Sequence, residues 1–332
     1  MDEREPAAES TPEWHLNSEI QLRIERLNSL VEGEQARMEL VGFGAAAIEP
    51  LKEFLFSGRP SGIFQPRQWA VEALGTLGAK DVLLEYLRRD ERIPDPVVQH
   101  GEEAVRNTAA RLVARWKTDD VFELLVGLAH KRILPGIITA LGSFRRKEAL
   151  PILERALEDD VARPAAEEAL AGFGGEEIEI LVSAVHRKRM NEDEEVPSSR
   201  RRRRSAAELL SNSRIEPGLW KQLRFLLDED DSELVIHGAK IATLLAPDTE
   251  KTNAVASVLR VLPDSPWYLI EEATKSLEAL YFWGEVLIEN QIAWRSEEPP
   301  LKRITDDTLL TLLRLRAHMR DPYRPKGFSR PS

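Results

Sequence analysis

The sequence predicts an all-α fold, a tandem stack of helical hairpins, and three observations carry that prediction. First, a small residue (once isoleucine), an aliphatic four positions on and a bulky apolar residue three further recur. They read Ala36/Leu40/Phe43, Ala70/Leu74/Leu77, Ala109/Val113/Trp116, Ile137/Leu141/Phe144 and Ala166/Leu170/Phe173. Offsets of four and three share one face of a helix with 3.6 residues per turn. Second, another apolar residue follows each triplet five positions later, at Ile48, Val82, Val121, Ala149 and Ile178. Third, the bulky anchors lie 34, 39, 28 and 29 positions apart, the spacing of a repeated helix pair.

In chain order, residues 1–16 are rich in Ala, Glu, Ser and Pro without periodicity and read as a disordered leader. Helical periodicity starts near Ser18, with Ile20, Ile24, Leu27 and Leu30/Val31 on one face and Gly33 as its stop. This helix is expected to cap the five units that complete the segment 17–190. In the first unit Gly42-Phe43-Gly44 precedes Ile48-Glu49-Pro50-Leu51; in the fifth Gly172-Phe173-Gly174 precedes Ile178-Glu179-Ile180-Leu181. A glycine after the first helix supplies the positive φ of a tight turn. Pro50 and Pro151 fall in the first turn of a second helix, where proline is tolerated. Gly and Pro mark loops at 57–66 and 90–96.

Residues 191–204 read as a charged loop, four acidic side chains followed by the run Arg200 to Arg204. From 205 to 319 the pattern degenerates to Ala206/Leu210/Ser213, Gly238/Ala242/Leu245 and Ala273/Leu277/Leu280. The Trp-rich stretch 267–294 and a helix over 305–318 are expected to close the stack. The tail 320–332, with prolines at 322, 325 and 331, reads as flexible.

Composition narrows the function. With no cysteine, disulfides, thiolate metal sites and thiol catalysis are excluded. The first residues are acidic and polar where a secretory signal would be basic and then apolar, and no apolar run is long enough to span a membrane. A cytoplasmic protein is expected. The net charge of −11 leaves an acidic body that repels phosphate backbones, although 187–204 carries a local excess of basic residues. That argues against nucleic acid as the main ligand.

The turn Ala73-Leu74-Gly75-Thr76-Leu77-Gly78 and the second-helix start Ala149-Leu150-Pro151-Ile152-Leu153 resemble bacterial HEAT-like repeats, the short type associated with phycobilisome lyases. The resemblance covers 33–190 well and 205–290 loosely. It implies a right-handed α-solenoid of HEAT-like helix pairs whose second helices line a concave face. Three enzyme groups share such repeats. Deoxyhypusine hydroxylase holds iron through His-Glu pairs, whereas the nearest approach here is His100-Gly101-Glu102. Phycobilin lyases offer no diagnostic residues to carry over. HEAT-like DNA glycosylases need a basic aromatic track, and Trp116 stands at a packing anchor.

The six histidines are scattered with none at i, i+4 spacing, and no Gly-x-Ser-x-Gly elbow or phosphate loop is present, so neither metal, cofactor nor catalytic residue is assigned. The expected function is a non-enzymatic scaffold or adaptor that binds another protein or a peptide on the concave face. Its candidate contacts, by register, are Lys52, Tyr86, Arg89, Glu123, Glu154, Arg155 and His186. Arg200, Arg201, Arg202, Arg203 and Arg204 are candidates for docking an acidic partner. The alternatives are a lyase-like accessory factor in cofactor attachment or protein modification and, behind it, nucleic-acid binding through the arginine run.

Overall fold

The computed structural model describes residues 12–58, 60–89, 93–299, 302–303 and 305–321. The chain is all-α, 78% helical, with seventeen α-helices among the described residues. It divides into two compact units, Met1–Gly172 and Phe173–Ser332. The division falls inside the fifth predicted repeat, not at the charged segment.

In the first unit the helices alternate between two rows. First helices α2 (Gly33–Gly42), α4 (Gln65–Thr76), α6 (Pro96–Val113), α8 (Pro135–Phe144) and α10 (Arg163–Ala171) each pack on the next. Second helices α3 (Ile48–Ser57), α5 (Lys80–Arg88), α7 (Asp119–Lys131) and α9 (Leu150–Ala156) pair with them. The small and aliphatic members of every triplet are buried, as the periodicity requires. The bulky anchors Phe43, Leu77, Trp116 and Phe144 are only half-buried, because the first helix ends there. Cations cover two of them: Arg23 lies over Phe43 at 5.7 Å and Lys117 over Phe144 at 4.7 Å.

The predicted turn conformation is present. Gly44, Gly78 and Gly174 take φ of 61°, 76° and 72°, each directly after its anchor. In the third and fourth repeats the same position is Lys117 and Arg145, both at φ 52°. Glycine is therefore replaced by a basic side chain at two of the five turns.

The amino-terminal helix α1 (Pro12–Arg26) packs on α2 and α3 as a cap should, but its limits differ from expectation. It begins inside the segment read as a leader, whose residues 1–11 lie outside the described residues. It ends at Arg26, so Leu30 and Val31 lie on an exposed turn. Gly33 starts α2 instead of stopping α1. A Cβ there would fall 1.9 Å from the Trp69 ring of α4, so this glycine serves close packing.

The second unit holds α11 (Ile178–His186), α12 (Pro197–Asn212), α13 (Trp220–Leu223), α14 (Ser232–Leu245), α15 (Asp248–Val261), α16 (Trp267–Ser296) and α17 (Asp307–Met319). Here α12, α14 and α16 form the first-helix row, and the degenerate triplets supply its buried face. The tail expected from 320 lies outside the described residues from 322 onward; Arg320 itself pairs with Glu289 at 2.8 Å.

The charged loop expected at 191–204 is not a loop. Met190–Asn191 (β1) and Glu194–Glu195 (β2) pair antiparallel, and α12 then begins at Pro197, so the whole arginine run is helical. Arginine is a good helix former, and proline is favoured in a first turn.

Candidate binding surfaces

The last carbonyls of a helix have no intrahelical donor, and arginines from following repeats donate to those at the ends of α3, α5 and α7. Arg67 donates to Leu55 O (3.3 Å), Arg89 to Phe56 O (3.3 Å) and Arg106 to Arg89 O. Arg155 donates to Ala129 O. A cation at a helix C-terminus also complements the helix dipole. These bonds fasten one repeat to the next.

Three of the predicted contact residues meet in this fastening. Tyr86 is buried and its hydroxyl donates to Glu102 Oε1 at 2.7 Å. Glu102 also pairs with Arg67 and, at 3.3 Å, with Arg106, and both guanidinium groups lie beside the Tyr86 ring. Burial and the Glu102 carboxylate push the Tyr86 phenol up, so it stays protonated. Arg89 lies over Phe56 at 4.1 Å, and Lys52 pairs with Glu85 at 3.0 Å. Tyr86 is therefore a core residue, not a surface contact. Glu154 is likewise buried, whereas Glu123 and Arg155 are exposed. Register alone misplaced the two buried residues, because their helices are covered on more than one side.

The arginine run is largely committed to the fold. Arg203 is 1% exposed; it donates to Val185 O at 2.8 Å and pairs with Glu195 at 3.0 Å and with Glu229. Arg202 is buried and bonds Arg187 O. Arg204 bonds Asp231 at 2.8 and 2.9 Å and Glu233 at 2.8 Å. Arg200 is exposed, 4.0 Å from Asp231, and Arg201 is half-buried. His186 is exposed and stacks on Phe225, with ring centroids 4.4 Å apart. The run goes right around its helix, and Arg202, Arg203 and Arg204 are held by carbonyls and acidic groups of their own unit.

Among the described residues no group of three His, Cys, Asp or Glu side chains is placed to hold a metal ion. His237 and Ser211 lie 3.3 Å apart (Nδ1 to Oγ), both buried. Desolvation first, and then the Lys240 charge, push the His237 imidazole down to about 4. It is a neutral core group at physiological pH.

A surface that the sequence reading assigned to capping is the most unusual one in the second unit. The α16 helix runs for 30 residues and packs on α14, α15 and α17. Its opposite face exposes Phe282 (48%), Val286 (72%) and Trp294 (61%), with Asn290 and Ala293 exposed between them. No charged residue lies on this face over about 18 Å of helix from Phe282 to Trp294. Glu285 and Glu289 border it, and Arg316 and Arg320 of the α17 side hold them. The offsets of 282, 286 and 293 (four, then seven) were visible in the sequence as a second apolar stripe on one helix. At the other end of α16, Trp267 and Tyr268 are also exposed. An exposed, largely apolar face of this kind is a candidate interaction surface.

No helix among the described residues is long and apolar enough to cross a membrane. No curated protein matches the chain. The family model described as HEAT repeats matches residues 96–171, which are helices α6 to α10. Over these helices the chain is similar to HEAT repeats.

Proposed function

We propose that the protein is a non-enzymatic scaffold that binds another protein, with the exposed face of α16 as a principal contact. HEAT repeats are in general protein-interaction scaffolds. The observation that carries the reading is the uncharged face of Phe282, Val286 and Trp294 on a helix whose other sides are packed. Aromatic residues are enriched among the side chains that dominate interface energetics. The half-buried Lys52 and the exposed Arg89, Glu123 and Arg155, expected on a concave face, form a secondary candidate surface. We place the protein in the cytoplasm on composition alone.

The lyase-like alternative, of the phycobilisome-lyase type, has no geometric feature in its favour among the described residues. Two pockets there, of about 200 and 60 Å³, are smaller than the roughly 300–1,000 Å³ of typical cofactor sites. Binding of nucleic acid through the arginine run loses its basis once Arg202, Arg203 and Arg204 are tied to carbonyls and carboxylates.

The test is affinity capture from the native cell extract with the wild-type chain and with a Phe282→Asp/Val286→Asp double variant. The wild type is expected to retain a stoichiometric protein that the variant loses, with the melting temperature of the variant unchanged because both side chains are exposed. Retention of the same protein by both would place the contact elsewhere. A bound pigment or metal in place of a protein would replace the scaffold reading with the lyase-like one.

A further inference from the structure

The replacement of glycine by Lys117 and Arg145 at two adjacent repeat turns is not needed by the fold, since three other repeats use glycine there. A left-handed φ is sterically unfavourable for a side chain with a Cβ. Lys117 has a structural use: its ammonium donates to Ser143 O and Oγ, each at 2.6 Å, across the α6–α8 boundary. Burial and the neighbouring Arg145 hold that ammonium below the usual lysine range. Arg145 is exposed and has no ion-pair partner among the described residues.

Arg145 borders a pocket of about 200 Å³ between α8 and α10. Its floor is made of small residues, Gly142 and Ala169 foremost, and a Cβ on Gly142 would fall 2.3 Å from that of Ala169. Thr139, Ser143 and Glu168 add hydroxyls and a carboxylate to the rim. The pocket therefore holds a guanidinium donor, a carboxylate acceptor and a floor low enough for a main chain to approach closely. On α6 and the turn that follows it, the register positions that match Thr139 and Ser143 are Arg111 and Arg115, both exposed. Arg111 bonds only to Thr108 of its own helix (3.2 Å), and Arg115 has no partner among the described residues. Helices that pack directly lie about 8–10 Å apart, so these cations stand within the span of a few extended residues from the pocket.

We propose that the exposed face of α6, α8 and α10, at their carboxyl ends, docks an extended acidic segment of a partner protein. The main chain of the segment lies in the groove between α8 and α10, and its carboxylates meet Arg145, Arg115 and Arg111. Charge complementarity selects this occupant: these cations lack carboxylate partners in a chain whose net charge is −11. The inference rests on the reading of the protein as a protein-binding scaffold but uses a different surface from α16.

The experiment is fluorescence anisotropy of the full chain with a fluorescein-labelled dodecapeptide rich in Asp and Glu, titrated at two salt concentrations. Binding that weakens with salt is expected, with a loss of about tenfold in Arg145→Gly, the size of one charge-assisted contact. Arg145→Gly installs the residue that three other repeats carry, so the fold is retained. Arg111→Gln/Arg115→Gln is expected to lose affinity as well. The Phe282→Asp/Val286→Asp variant is expected to bind the peptide as the wild type does, which separates failure of this site from failure of the α16 surface. Equal affinity of the wild type and Arg145→Gly overturns the proposal. So does tighter binding of a single-stranded DNA of equal charge through the same arginines.

Discussion

Arg203 shows how a residue that looks like a surface feature becomes part of the core. Its guanidinium meets a helix-end carbonyl and two carboxylates, so its charge is compensated inside the unit. Removing one partner of such a set leaves the other charges buried and unpaired, which typically costs about 3–5 kcal/mol. Arg203→Ala is therefore expected to lower the free energy of unfolding by about that amount in denaturant titrations, whereas Arg200→Ala, at an exposed site, is expected to change it little. His237 makes a pH-dependent contribution at the same scale. Its folded value of about 4 lies below the usual 6.5, so the unfolded chain binds the extra proton between those values. Stability is full above about pH 6.5 and is lost as pH falls toward 4, by about 2 kcal/mol at pH 5 from linkage. Comparing denaturation midpoints of the wild type and His237→Gln at pH 7.5 and 5 checks this: the wild type is expected to lose more. An equal loss in both would assign the acid sensitivity to carboxylates alone.

At the scale of elements, what the sequence made legible was local. The triplets at 36–43 through 166–173 mark the first-helix row because burial repeats at helical period, and the structure buries the small and aliphatic members of each. The glycine turns at 44, 78 and 174 were legible for the same reason, since the backbone need is set by one residue. The arginine helix α12 was not legible. Five like charges in a row read as a loop until Glu195, Glu229 and Asp231, the last 27 positions from Arg204, are brought to them. Tyr86 was misplaced for a related reason: its partner Glu102 comes from the next repeat's first helix. The exposed face of α16 lay in plain spacing, yet the Trp-rich stretch pointed to capping because sequence shows an apolar stripe without showing which stripe is covered. That element belongs to the surface as much as to the core, and the Phe282→Asp/Val286→Asp variant tests it without touching the packed side.

For the whole molecule, the repeats favour function on outer helix faces over a single cleft. Each helix pair buries its apolar side against its neighbours, so side chains on the outer faces vary without loss of fold. Function then resides in which outer positions depart from the repeat, and two departures stand out: the basic residues at the third and fourth turns, and the uncharged face of α16. We propose both as surfaces for a partner. The most direct measurement is hydrogen–deuterium exchange of the full chain with and without the protein it captures. Slowed exchange over residues 279–294 on adding the partner is the predicted result. Unchanged exchange there, with the partner bound, would contradict the account.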